Sequence, residues 1–159
     1  MNDIAIALAL HVLAIVLWIG GVGFATLALL PALRRLPDPA QRIATFEAVE
    51  RRFALVARGA ILLAGASGFY MVARLDAWNW FASLATWWMS AMVAVWVVFA
   101  VLLFVLEPFF LHRRFVRHAR AEPDASFRKA ERLHWVLLIA SLITIIGAAA
   151  GSHGLTPFR

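Results

Sequence analysis

Five histidines, four methionines and no cysteine set the chemistry open to this chain of 159 residues. His11 stands at the start of the apolar run HVLAIVLWIGGVGFATLALLP, which carries no other titratable side chain. His112 and His134 bracket a polar stretch, His153 follows the last apolar run, and His118 sits in a basic surface segment. An imidazole offers one ring nitrogen to a metal while the other donates to an orienting acceptor, which makes it a common ligand of haem iron and copper. Met71, Met89 and Met92 add thioethers, soft donors that suit Cu(I). The absence of cysteine excludes disulfides, iron–sulfur clusters and thiolate metal sites.

The elements that must position these side chains follow from composition. The chain is 64% hydrophobic and only 15% charged, against roughly half apolar for a soluble domain. Its four long apolar runs each exceed or approach the ~20 residues that carry a helix across ~30 Å of hydrocarbon. The expected spans are about 4–33, 53–73, 81–106 and 133–151, in a single transmembrane domain. The first run is too long for a signal peptide and lacks a basic leader, so it reads as a retained helix. Asp38 and Pro39 read as N-cap and first helical position of a helix that begins polar and then enters the bilayer. The expected fold is all-α, an up-down-up-down bundle of four transmembrane helices.

Charge sets the orientation. Nearly all Lys and Arg fall in the connections after the first and third runs, with Arg74 and Arg159 left on the other side. The positive-inside rule then places both termini outside the cytoplasm of a bacterial inner membrane. The net charge of +6 gives no reason to expect nucleic acid, because the basic residues flank apolar spans. Trp78, Trp80, Trp87 and Trp88 read as an interfacial belt at the outer end, and glycines in every span but the third allow close helix approach.

Placed by side, four histidines form two candidate pairs. His11 and His153 lie towards the outer face, and His112 and His134 towards the inner face with Arg58 and Glu107 at a similar level. Two such pairs suit one or two b-type haems, with Arg58, Arg113 or Arg114 as inner propionate partners and Arg74 outside. His11 with Met71, Met89 and Met92 makes an outer copper site the alternative. Each residue also has a plain role. His11 can satisfy one helix–helix hydrogen bond, the interfacial histidines can be solvated, Arg58 can snorkel and the methionines can pack.

HVLAIVLWIGGVGFATLALLPALRR, with its His, W-x-G-G step and terminal Pro, resembles the first helix of CopD-like integral membrane proteins. RRFALVARGAILLAGASGFYM resembles their next span. The resemblance covers about half of the chain and implies a four-helix fold with an association to copper resistance or uptake. The first helix is also similar to that of the related four-helix protoporphyrinogen oxidase family, which implies a haem-ligand role for His11. The expected function is a small b-type haem protein passing electrons between a membrane quinol, or an outer donor, and a partner. Copper transport or tolerance is the alternative. A non-catalytic subunit or assembly factor, homodimeric or within a larger complex, is the third reading.

Overall fold

In hydrocarbon the backbone must satisfy its own N–H and C=O groups, so long apolar runs wind into helices. The computed structural model describes residues 2–111 and 123–155, and within them it contains no strand. Four helices are long and apolar enough to cross a membrane: α1 (Asn2–Arg34), α2 (Pro39–Arg74), α3 (Leu84–Glu107) and α4 (Pro123–Ser152).

Contacts near the helix ends show that sequential helices run antiparallel. Asp3 at the start of α1 pairs with Arg74 at the end of α2, at 2.9 Å. Arg58, midway along α2, pairs with Glu107 at the end of α3 at 2.6 Å, while Ile61, further along α2, accepts from Trp96, earlier in α3. Gly147 and Gly151, late in α4, sit against the rings of Trp87 and Trp88 early in α3. Packing closes a ring in the order α1, α2, α3, α4, back to α1, with the α1–α2 seam the most extensive. Ala7, Ala14, Ala57, Ala60 and Ala64 are all buried there. Small residues let two backbones approach closely where lipid supplies no hydrophobic drive for association. Large apolar residues such as Leu55, Val136 and Ile146 turn outward instead, each about two-thirds exposed. Outward apolar side chains are what a bundle solvated by lipid requires.

Two prolines alter the winding. Pro31 has no N–H to return to the preceding turn, and just ahead of it α1 widens over Ala25–Leu29, where the Leu30 N–H reaches back five residues to the Ala25 carbonyl. The winding widens likewise over Leu102–Leu111, through the end of α3 and just beyond it. Five residues on from Leu103 is Pro108, which has no proton to give. The Leu103 carbonyl instead accepts from Arg58 Nε at 3.1 Å. Winding at Pro108 thus couples α2 to α3.

The start of α2 follows its sequence signal, with the Ala40 N–H donating to Asp38 Oδ1 at 2.9 Å. The start of α3 does not. Residues Trp78–Ala82 and Leu84–Thr86 form two tight single turns, separated by Ser83 in extended backbone, and α-helix begins only at Trp87. Ser83 Oγ accepts from the Ala85 N–H, and a capping serine ends one segment and starts the next. Helix α4 begins ten residues before the expected span, and its polar first turns dock on α2 through Arg42 and Asp124 at 2.8 Å.

Candidate functional site

The site is built on the α1–α2 seam, where His11 meets α2. Its Nδ1 lies 2.9 Å from the Ala64 carbonyl and 3.2 Å from Ser67 Oγ. A carbonyl only accepts, and the Ser67 hydroxyl spends its own proton on the Leu63 carbonyl at 2.6 Å. The proton between them therefore sits on Nδ1, and Nε2 carries the lone pair. No hydrogen bond to Nε2 occurs among the described residues. Gly68 makes room for the ring, since a Cβ there would come within 3.1 Å of His11 Cε1.

His11 borders a cavity of about 390 Å³ between the helices at the end of the bundle nearest the termini. Met71 from α2 and Met89 and Met92 from α3 line the same cavity. Four residues from three helices, marked in the sequence as an imidazole and three thioethers, thus share one chamber. Its other walls are mostly aromatic and aliphatic, with Trp80 and Phe81 contributed by the tight turns before α3 and the hydroxyls of Ser141, Thr144 and Ser152 by α4. Among the described residues no cluster of three or more His, Asp or Glu exists to hold a hard cation. The donors gathered here are soft ones.

A second cavity, about 870 Å³, opens towards the arginine-rich end. His134 borders it and repeats the arrangement of His11, with Nδ1 2.8 Å from a backbone carbonyl, that of Ala130 one turn earlier in α4. Glu47, Glu50 and Glu107 share this chamber with Lys129. Glu47 Oε1 is buried without a partner among the described residues. Trp18 borders both cavities, packs edge-to-face on Phe99 with centroids 4.8 Å apart, and has a buried Nε1–H without a partner. It is the wall between them.

The remaining expected residues fall as follows. Arg58 is engaged by Glu107 and the Leu103 carbonyl and does not border the large cavity. His153 lies in the turn beyond α4, exposed, and does not border the smaller cavity. His112, with Arg113 and Arg114, lies outside the described residues. The glycines carry no open slot for a flat group at Gly65, Gly147 or Gly151, because Trp96, Trp87 and Trp88 press against them. Sequence reasoning passed over Ser67 and Trp18. A lone serine in an apolar span was the available signal for Ser67; no local pattern marks Trp18 as a partition.

The fold and the two chambers define a four-helix bundle of membrane-spanning type. No family model, curated protein or solved structure matches the chain.

Proposed function

We propose that this chain is a multi-pass membrane protein that binds Cu(I) in the cavity nearest its termini and serves copper transport or tolerance. One observation carries the reading: His11, Met71, Met89 and Met92 border a single, mostly apolar chamber, and the hydrogen bond at Nδ1 leaves the Nε2 lone pair of His11 for a metal. An N–H donated to a carbonyl is the usual outer-shell arrangement of a metal-bound histidine. Thioether and imidazole donors in a dry chamber favour Cu(I) over harder ions. The likeness of the first two spans to CopD-like proteins agrees with this reading.

The test is a titration of the detergent-purified protein with Cu(I) against a chromophoric chelator under reducing conditions. One ion per chain is expected. His11→Ala should weaken binding by about tenfold or more, a loss of the size that even outer-shell changes at metal sites produce. A Met71→Leu/Met89→Leu/Met92→Leu variant conserves volume and should keep the fold while losing the ion. Unchanged copper content in both variants would sink the proposal.

A b-type haem protein is the second reading, favoured by a separate observation. His11 and His134 each border one of two chambers that meet at Trp18, and each has Nδ1 tied to a carbonyl. Haems in both chambers would carry electrons across the bundle from a quinol or other donor. A visible spectrum of protein expressed with ample haem separates the readings, since a sharpened α band on dithionite reduction belongs to haem alone.

A further inference from the structure

Three helices bring arginines together at the end of the bundle far from His11, in a cavity that shares no lining residue with either chamber. Arg34 comes from the last turn of α1, Arg42 from the first turns of α2 and Arg128 from the first turns of α4. With Asp124 and Phe127 they line a cavity of about 280 Å³. Arg42 is the unusual member, for an arginine only 9% exposed is rare unless fully paired. Its Nη1 donates to Asp124 Oδ1 and its Nη2 to the Leu36 carbonyl, both at 2.8 Å. The guanidinium lies over the Phe127 ring, 5.8 Å from the centroid. Its Nε–H is also buried, and that donor has no partner among the described residues. A buried unsatisfied donor on a charged group costs free energy until an acceptor arrives.

The charge around the cavity points to the kind of acceptor. Three guanidiniums face one lining carboxylate, Asp124, whose side chain is 75% exposed and so turned largely to solvent. Glu131 lies outside the lining and engages Arg34 at 2.8 Å, which still leaves a surplus of positive charge. Arginine forks match the tetrahedral oxygens of phosphate, with several donors converging on one group. The cavity also lies where α1 and α4 leave their apolar stretches, level with the headgroups of a surrounding bilayer.

We infer that the cavity between Arg34, Arg42 and Arg128 is a phosphate site, filled by the headgroup of an anionic phospholipid at the arginine-rich face of the membrane. Arg42 is the fixed floor of the site, while Arg34 and Arg128, both exposed, close on the phosphate from two sides. A lipid held there ties the ends of α1, α2 and α4 together.

Native mass spectrometry of the detergent-solubilised protein tests this with three probes: phosphatidylglycerol, phosphatidylcholine and inorganic phosphate. Phosphatidylglycerol should be retained more tightly than phosphatidylcholine. Arg128→Gln, at an exposed position that leaves the Arg42 clamp intact, should weaken phosphatidylglycerol by about tenfold, the effect of one charge-assisted hydrogen bond. Arg52→Gln removes the same charge from an exposed position outside the cavity and should leave the affinity within about twofold. Arg128-dependent binding of inorganic phosphate with no preference among lipids would keep the phosphate site and overturn its lipid source. Equal retention of both lipids without phosphate binding, or equal losses in Arg128→Gln and Arg52→Gln, would overturn the site itself.

Discussion

His11 shows how one imidazole can be satisfied and still reactive. Its N–H is consumed by α2, so burial in the bundle leaves no orphaned donor, while the second nitrogen keeps its lone pair. The position was legible in the sequence because a titratable residue inside an apolar run is costly. Which nitrogen holds the proton was not, since that is decided by a carbonyl 53 residues away. Gly68 sets the ring position, and its replacement makes a sharp test. In Gly68→Ala the new methyl meets His11 Cε1 at 3.1 Å and Nδ1 at 3.4 Å, so the ring must shift by a few tenths of an ångström. Alanine is the better helix former, so α2 should remain intact. Cu(I) affinity should fall while the melting temperature holds or rises. An unchanged affinity would mean that the ring position is not what the ion reads.

At the scale of elements, glycine and tryptophan form pairs across helices. The Trp96 ring lies on Gly65, and its Nε1–H donates to the Ile61 carbonyl one turn earlier at 2.9 Å. Composition alone made glycines a licence for close backbones and tryptophans an interfacial belt. The two signals belong together, because each ring needs a neighbour without a Cβ. Not every glycine takes part: Gly20 has open space where its Cβ would be, although it stands in the same kind of apolar run. Gly65→Ala should therefore cost about 1–3 kcal/mol by overpacking Trp96. Gly20→Ala should be neutral or stabilising, by up to about 1 kcal/mol. Thermal melts in detergent compare the two directly, and equal melting temperatures would contradict the pairing. The late start of α3 has the same origin in context. Hydropathy continues through Phe81, yet Ser83 and its cap break the winding, and the turns so formed wall the cavity with Trp80 and Phe81.

For the whole molecule, four apolar runs with short connections made the bundle readable from composition, because a bilayer leaves the backbone little choice. The grouping of side chains was less readable. Depth along each helix is encoded by sequence position, which puts Met71, Met89 and Met92 at similar depth, and all three line one cavity. Rotation about each helix axis is not so encoded when every face is apolar, and rotation decides which histidines face a cavity. What the fold leaves open is direction. The chain has no cysteine, so single cysteines can be labelled without altering a background. Asn79→Cys and Leu155→Cys lie at the end nearest the His11 cavity, and Gln41→Cys lies at the arginine-rich end; all three positions are exposed. By the positive-inside rule, the excess of arginine in the connections after α1 and α3 predicts that this end faces the cytoplasm. A membrane-impermeant maleimide added to intact spheroplasts should then label Asn79→Cys and Leu155→Cys, and reach Gln41→Cys only after permeabilisation. The opposite pattern would invert the molecule. The His11 chamber would then open to the cytoplasm, and the phosphate site would face the outer leaflet, where the positive-inside argument has no force. The labelling thus decides which compartment supplies copper, independently of whether copper binds.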